Sequence, residues 1–163
     1  NAQDREKPCY HPGGIVPAEN FVDLRFKELG LHEWDIRSAL EPEASLMSDS
    51  LDSMVILIKE SFASGSLRWA FWPGPSLPRP VRYRFDVKEP VSIAADIVVE
   101  GDQFRFEEPT AAPADVTFRC DTGTLALLTS GRIPAAQAIS SGRLAVEGDA
   151  SLAEQFSQWF KGI

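Results

Sequence analysis

Glu28 and His32 are the residues of this chain whose types and spacing best fit metal chemistry. They are four residues apart, and Arg25 and Asp35 extend the series at steps of three. In a helix these four side chains lie on one arc, so a carboxylate and an imidazole project side by side and can hold one divalent cation. Zinc takes at least three protein donors, so the pattern predicts two metal ligands that need a third from elsewhere.

The same arc has a simpler interpretation. Charged side chains at helical steps of three and four pair with one another on the surface, and each such pair contributes little stability. The other histidine, His11, lies in the leading segment and could supply a donor only if that segment folds back. From the residues alone, both interpretations of Glu28 and His32 stay open.

Two arginines form a second candidate site. Arg132 and Arg143 each follow a glycine and bracket a short predicted helix. A guanidinium group can bind a small carboxylate through two parallel N–H donors, so these residues are candidates for orienting a substrate during catalysis. The alternative is that they cap helix ends and pair on the surface with Asp121 or Glu147.

Composition excludes some classes of function. The chain has 163 residues and a net charge of -8, which repels a phosphate backbone, so we expect no nucleic-acid partner. The longest apolar stretch, around residues 54–58, is too short to cross a bilayer. Cys9 and Cys120 are far apart and belong to no C-x-x-C pair, which predicts free thiols in a reducing cytoplasm.

Hydrophobic periodicity predicts helices first and strands later. Residues 1–16 are polar and turn-rich, with the clearest loop signal at residues 11–14. Beyond the prolines of residues 73–80 the period changes from helical to alternating. The predicted helices are 17–40, 48–63, 121–130, 133–140 and one after Asp149; the predicted strands are 81–87, 91–99, 103–107, 116–120 and one through Leu144 and Val146.

These elements predict an α+β fold in two parts. We expect a helical segment at residues 1–72, a proline-rich linker at 73–80, and a unit of about five strands with helices on one face at 81–163. The packed side of the first helix should carry Phe21, Leu24, Ile36 and Ala39. Aromatic residues before the linker and at the C-terminus fit a core better than a ligand site: Trp69, Phe71, Trp72, Phe156, Trp159 and Phe160.

The end of the chain resembles sterol-carrier-protein-type domains. Leu144 and Val146 share one strand face, Gly148 and Asp149 supply a turn and a helix cap, and apolar residues from Leu152 onward recur at helical spacing. In such domains the last helix covers a pocket for elongated apolar molecules. The resemblance implies a pocket near the C-terminus, among Phe104, Phe118, Leu127 and Phe156. A buried strand under a core helix would give the same pattern.

The stretch from Phe26 to Ile36 resembles the last bundle helix of the DinB-like domain in mycothiol-dependent maleylpyruvate isomerases. It carries the E-x-x-x-H-x-W-D pattern in which, in that family, the Glu and His bind zinc together with a His from an earlier helix. The family also ends in a sterol-carrier-type domain, and residues 115–121 through Gly131 and Arg132 fit its pattern. The resemblance implies Glu28 and His32 as zinc ligands, a low-molecular-weight thiol as cofactor, and Arg143 or Arg132 near the substrate carboxylates.

The chain departs from that family because the helix with the first metal-binding histidine has no counterpart in it. We therefore expect a C-terminal fragment that binds no zinc tightly and is inactive by itself, or a short form whose site is absent or is completed by another subunit. Two further hypotheses remain. In one, the C-terminal unit is a binding module for an apolar or lipid-like ligand; in the other, it is a scaffold that braces a bundle or forms a homodimer.

Overall fold

The computed structural model describes residues 2–11, 14–64 and 70–162. The chain divides into two compact units, Asn1–Leu57 and Ile58–Ile163. The predicted linker, 73–80, lies inside the second unit. Within the described ranges no helix has both the length and the apolar character that a bilayer span requires.

The N-terminal unit begins with a hairpin where the sequence predicted only a loop. After a short helix α1 (Ala2–Arg5), strands β1 (Pro8–His11) and β2 (Gly14–Pro17) pair antiparallel. Each strand has four residues, which is too short for alternation to stand out from a polar segment. Two residues of the predicted loop signal, Pro12 and Gly13, lie outside the described residues.

A long helix and the first part of a second one complete this unit, and the rest of the second helix belongs to the C-terminal unit. Helix α2 (Ala18–Arg37) was predicted over 17–40, and helix α3 (Ser48–Ser64) over 48–63. The segment between them folds back on α2, since the indole N–H of Trp34 donates to the carbonyl oxygen of Ala44 at 3.0 Å. Trp34 is therefore a structural anchor of the connection.

The packed side of α2 differs from the prediction. Its buried residues are Gly30, Leu31 and Trp34, whereas Ile36 is 73% exposed and Ala39 is exposed. Gly30 explains the difference, because a methyl group there would lie 2.8 Å from Cβ of Ser50 on α3. The missing side chain lets the two helices approach closely, so a glycine rather than the largest apolar residues sets which side is buried.

The C-terminal unit contains a five-stranded mixed sheet. The strand order is β5-β4-β3-β6-β7, with β3 and β6 parallel and all other neighbours antiparallel. The predicted strands are confirmed with boundaries shifted by at most two residues. The strands are β3 (Val81–Val87), β4 (Ile93–Glu100), β5 (Gln103–Glu107), β6 (Val116–Cys120) and β7 (Ala145–Gly148).

The central strand β3 divides the sheet into an apolar face and a charged face. Val81, Tyr83, Phe85 and Val87 are buried, and the residues between them are two arginines and an aspartate. Because side chains alternate along a strand, this pattern sends the aromatic rings to one face and the charges to the other. Helices cover the apolar face, as predicted for the α+β class.

Asp96 on β4 holds the charged face together. Its side chain is fully buried, and it accepts hydrogen bonds from Arg84 Nε at 2.8 Å and Arg82 Nη1 at 2.9 Å. Burial alone raises the pKa of Asp96, but the hydrogen bonds from the two arginines outweigh it and hold that pKa below its ordinary value. Arg84 also donates to the carbonyl oxygens of Thr110 and Ala112, so the loop before β6 lies across this face.

Three helices lie between or after the last strands. Helix α4 (Thr122–Thr129) is buried along its whole length, α5 is Ala135–Ser140, and α6 is Ala150–Gln155, followed by a 3₁₀ turn. Asp149 caps α6 as predicted, since its carboxylate accepts from the backbone N–H groups of Ser151 and Leu152. The cap fixes the point at which the chain turns from β7 onto the apolar face.

We expect Asp96→Asn to lower the free energy of unfolding at neutral pH by roughly 1–3 kcal/mol, because two arginines lose a charged acceptor. Since the folded-state pKa of Asp96 is lowered, its contribution is complete above the ordinary value of 3.8 and is lost as pH falls below it. The difference between the two proteins should therefore shrink in acid. Denaturant unfolding at several pH values measures this.

The matched control is Asp102→Asn in the exposed turn between β4 and β5, which should change stability little at any pH. A difference between wild type and Asp96→Asn that stays constant down to pH 2 would contradict the assignment of the effect to this carboxylate.

Candidate ligand-binding site

The two predicted metal ligands each have a charged neighbour on α2. Glu28 Oε2 accepts from Arg25 Nη1 at 2.6 Å, and this hydrogen bond holds the pKa of Glu28 below its ordinary value. His32 Nδ1 lies 3.2 Å from Asp35 Oδ2, and the His32 side chain is 68% exposed. The arc therefore carries one ion pair, between Arg25 and Glu28, and one contact between a histidine ring and a carboxylate, which agrees with the simpler interpretation.

His11 does fold back toward the arc. Its Nε2 lies 3.8 Å from Oε1 of Glu28, and its ring meets the edge of Phe21. Among the described residues, however, no three His, Cys, Asp or Glu side chains are grouped closely enough to hold a metal ion. The assignment of Glu28 and His32 as metal ligands stays a prediction that calls for another donor.

The two candidate catalytic arginines lie at opposite ends of α5. Arg132 follows α4, is half-buried, and donates from Nη1 to the carbonyl oxygen of Ser130 at 3.1 Å. Arg143 lies in the turn before β7 and is also half-buried. Both have further polar or electrostatic partners. Their proposed contact with a substrate carboxylate stays a prediction.

The apolar face of the sheet carries a layer of aromatic rings, hereafter the aromatic layer. At its centre Phe156 packs edge-on against Tyr83, Phe85 and Phe118, with ring centroids 5.2–5.5 Å apart. Phe156 also stacks on Phe160 at 4.6 Å. Contacts of this geometry are favourable beyond the area they bury. The centre of the layer is therefore a filled core, as the sequence predicted for the C-terminal aromatic residues.

The segment Phe156–Gly162 closes this layer, and we call it the C-terminal cover. Hydrogen bonds tie it to the residues before the linker: Trp72 N–H donates to Trp159 O at 2.7 Å, and Lys161 N–H donates to Ala70 O at 3.1 Å. The Trp72 indole N–H also donates to Gly162 O at 2.8 Å. The cover is thus held by backbone pairing as well as by its own rings.

Glycines allow the C-terminal cover to approach the end of α4. Gly131 has φ +69°, and a methyl group on it would lie 2.1 Å from the carbonyl carbon and oxygen of Lys161. Gly162 is placed similarly, since a methyl group on it would lie 1.9 Å from the carbonyl oxygen of Ser130. Two backbones meet here with no space for side chains, so the position of the cover is sterically defined.

The aromatic layer continues toward the sheet edge, where it is less covered. Phe104 packs on Phe71 at 4.7 Å and on Phe160 at 5.6 Å, and Phe106 packs on Phe62 of α3 at 4.4 Å. Phe62, Phe71, Phe104 and Phe106 are only half-buried, in contrast to the fully buried rings at the centre. These four rings, hereafter the edge aromatics, form an accessible apolar surface next to the cover. Trp69 lies outside the described residues.

Trp159 holds a polar group inside the apolar interior. Its side chain is fully buried, and its indole N–H has no acceptor within the described part of the chain. Gly74 lies against the pyrrole part of the ring, since a methyl group there would be 2.5 Å from Nε1. A buried donor without an acceptor costs stability, and its hydrogen-bonding capacity stays available.

Residues 81–161 match the model of the SCP-2 sterol transfer family. This part of the chain is similar to that family over its whole length, and we call it the SCP2-type domain. The match agrees with the geometry above, in which a five-stranded sheet carries its helices and C-terminal cover on one apolar face. The predicted sterol-carrier-type domain is therefore confirmed, whereas the resemblance of residues 26–36 to a DinB-like helix stays a prediction.

Several solved structures are similar to the chain at low identity. The UbiJ-SCP2 ubiquinone synthesis protein has 21% identity and a TM-score of 0.46, covering 62% of this chain and 90% of that one. Sterol carrier protein 2 like 2 from Aedes aegypti has 16% identity and a TM-score of 0.38, covering 66% and 93%. Apo sterol carrier protein 2 from Yarrowia lipolytica has 15% identity and a TM-score of 0.34, covering 48% and 68%. No curated protein matches the chain.

The sequence indicated part of this site in advance. Of the four predicted pocket residues, Phe118, Leu127 and Phe156 are buried in the core and only Phe104 reaches the half-buried edge. Phe62 and Phe106 were missed as members of the site. Phe106 follows Phe104 on the same face of β5, so the alternation of that strand was the signal that could have found it.

We expect Gly131→Ala to destabilise the protein by about 3 kcal/mol or more, because a methyl group there meets the backbone of the C-terminal cover. Gly142→Ala is a matched control: Gly142 also has positive φ, +75°, but open space surrounds its missing side chain. That substitution should cost only the left-handed conformation, about 1–2 kcal/mol. Equal losses in denaturant unfolding would show that the close approach of the cover is unimportant.

We expect zinc to bind this chain only weakly, because Glu28 and His32 supply two donors and each has a competing partner. Addition of Zn²⁺ should leave the Tm within about one degree of its starting value. The same Tm measurement is made on Glu28→Gln and on its matched control, Glu19→Gln, which changes an exposed residue of the same helix. A large rise in Tm that Glu28→Gln removes and Glu19→Gln retains would overturn this expectation.

Proposed function

We propose that the SCP2-type domain binds an apolar, lipid-like small molecule, such as a fatty acid or a sterol, at the edge aromatics. The observation that carries the proposal is the unequal burial of the aromatic layer. Its centre is filled, but four neighbouring phenylalanine rings at the sheet edge are only half-buried. Covering such rings with apolar surface removes them from water and is favourable by about 25 cal/mol per Å². The family match, whose description names sterol transfer, supports the same class of ligand.

The C-terminal cover offers a way to enlarge this site. Phe160 contacts Phe71 and Phe104 at centroid distances of 5.6 Å each, so movement of its ring would join the half-buried edge to the buried centre. The fixed approach at Gly131 restricts that movement to the rings rather than the backbone end. The site then has one rigid side, formed by the aromatic rings of the sheet, and one side formed by Phe160 of the cover, whose ring can move to fit a ligand.

A polar end on the ligand has a donor within the apolar interior. The indole N–H of Trp159 has no acceptor among residues 2–11, 14–64 and 70–162, and Trp159 is adjacent in sequence to Phe160 of the cover. A hydroxyl or carboxylate oxygen that accepted from it would fill that capacity. This favours an amphiphile over a pure hydrocarbon.

We expect a fluorescent fatty acid or a fluorescent sterol to bind the full chain saturably at a single site. Phe104→Ser should weaken that binding about tenfold or more, because burial of a phenyl ring contributes about 1.5–3 kcal/mol. Probe titration below the critical micelle concentration measures the dissociation constant. Trp159→Phe should weaken a polar-headed probe more than its methyl-ester or hydrocarbon analogue.

The matched control is Tyr10→Ser, an aromatic residue that is 77% exposed on the N-terminal hairpin. It should leave the dissociation constant unchanged. Near-ultraviolet circular dichroism verifies that Phe104→Ser remains folded, and Phe106→Ser provides a second test at the same site. If neither probe binds the wild-type chain saturably, or if both serine variants bind as well as wild type, the proposal is wrong.

A further inference from the structure

One buried side-chain donor next to the edge aromatics has no hydrogen-bond partner. Within residues 2–11, 14–64 and 70–162, the indole Nε1 of Trp159 is the buried side-chain nitrogen or oxygen atom without one. Trp159 precedes Phe160, which forms a backbone bridge with Phe71 of the edge aromatics. The carbonyl oxygen of Trp159 also accepts from the Trp72 N–H at 2.7 Å. A ligand that inserts between the edge aromatics and the ring of Phe160 therefore comes next to the residue that carries this donor.

Buried hydroxyl groups of the same unit already donate their protons within the chain. The Tyr83 hydroxyl donates to the carbonyl oxygen of Leu152 at 3.1 Å. On α4, Thr129 Oγ1 and Ser130 Oγ donate to helix carbonyl oxygens at 2.8 Å and 2.6 Å. A hydroxyl group has one proton to donate, so these three groups have none left for a ligand. The hydrogen bond that the buried interior offers to a ligand is thus that of one uncharged N–H, on Trp159.

The charges that act on this part of the interior are negative. The ring of Tyr83 lies 6.3 Å from that of Trp159, and its pKa is raised first by burial and then by the charges of Asp115 and Asp149. Asp115 is held as an anion by Arg79 at 2.6 Å, and Asp149 by the backbone N–H groups that it caps on α6. An ionised carboxylate buried here would have a single neutral donor, which is strongly unfavourable, so the group would take up a proton instead.

We propose that the ligand of the SCP2-type domain is uncharged at its polar end, where a hydroxyl group or a protonated carboxyl group accepts from the indole N–H of Trp159. The inference rests on the proposed function and narrows its ligand class. At neutral pH a long-chain alcohol or a sterol satisfies the donor without bringing a charge into the interior. A fatty acid satisfies it only after it has taken up a proton, and its apparent affinity falls by the fraction of the acid that is ionised.

Titration of the full chain with three pyrene-labelled probes of equal chain length, an alcohol, a fatty acid and an alkane, tests the proposal. At about pH 8 the alcohol should bind roughly tenfold or more tightly than the acid, because only the acid carries a charge. Trp159→Phe keeps an aromatic ring and removes the N–H, so it should weaken binding of the alcohol about threefold to tenfold and leave the alkane unchanged. The matched control, Phe104→Ser, should weaken the alcohol and the alkane equally, because it removes contact with the apolar tail.

The pH dependence of wild-type binding gives a second measurement that needs no variant. Between about pH 6.5 and 8.5 the dissociation constant of the acid should rise roughly tenfold per pH unit, while that of the alcohol stays constant. Both histidines lie in the N-terminal unit, and burial raises the pKa of Cys120 to about 12. The charged residues on the elements around the cover are carboxylates, guanidinium groups and an ammonium group, which titrate outside that range: Arg79, Asp115, Arg132, Asp149, Glu154 and Lys161. A slope seen with the acid alone therefore belongs to the ligand.

The outcomes separate this inference from the proposed function. An acid that binds as tightly as the alcohol at about pH 8 would mean that a cation such as Arg132, Arg143 or Lys161 holds its carboxylate, and would overturn the inference alone. Equal losses of alcohol and alkane binding in Trp159→Phe would also overturn it, provided that near-ultraviolet circular dichroism shows the variant to be folded. If that variant does not fold, the wild-type pH profile decides. Absence of saturable binding by all three probes would overturn the proposed function, and the inference with it.

Discussion

The alternation of apolar and charged residues along β3 is the constraint on which the C-terminal unit depends. It sends Tyr83 and Phe85 to one face of the sheet and Arg82 and Arg84 to the other. The charged face is stable because the buried Asp96 carboxylate accepts from both arginines, and a buried charge is tolerated only when it is paired and hydrogen-bonded. The charged face is covered by ion pairs and by the β5–β6 connection. The helices and the end of the chain therefore cover the apolar face.

That face is covered unevenly. At the centre, Phe156 contacts rings from two strands and leaves a filled core. At Gly131 the backbone of the cover is in direct contact with the end of α4, so this end cannot shift without disrupting both. The edge aromatics are only half-buried, although Phe71 lies between two residues whose backbones pair with the cover. The rings on β5 are therefore the part of the apolar face that the cover encloses least, which is why the proposed site lies there.

Prediction from sequence succeeded where one local signal determined the structure. Strict alternation located β3, and the Gly148-Asp149 turn located the start of α6, because both patterns act within a few residues. Prediction failed where the structure is determined by a contact between residues that are far apart in the sequence. The buried side of α2 is set by Gly30 against Ser50, and the pairing of Trp72 with the cover joins residues far apart in the sequence. The edge aromatics likewise combine α3, β5 and the residues before the linker, and no spacing in the sequence shows that these converge.

The polar groups next to the aromatic layer favour binding over chemistry. Burial raises the pKa of the Tyr83 phenol, whose hydroxyl donates to the carbonyl oxygen of Leu152, so it is a neutral structural donor. Burial also raises the pKa of the Cys120 thiol to about 12, so it carries no thiolate at neutral pH. A catalytic base or nucleophile needs a pKa near the working pH, and these two groups are moved away from it. Both groups therefore act as neutral parts of the packed sheet face, and the binding proposed at the edge aromatics needs no charge from either of them.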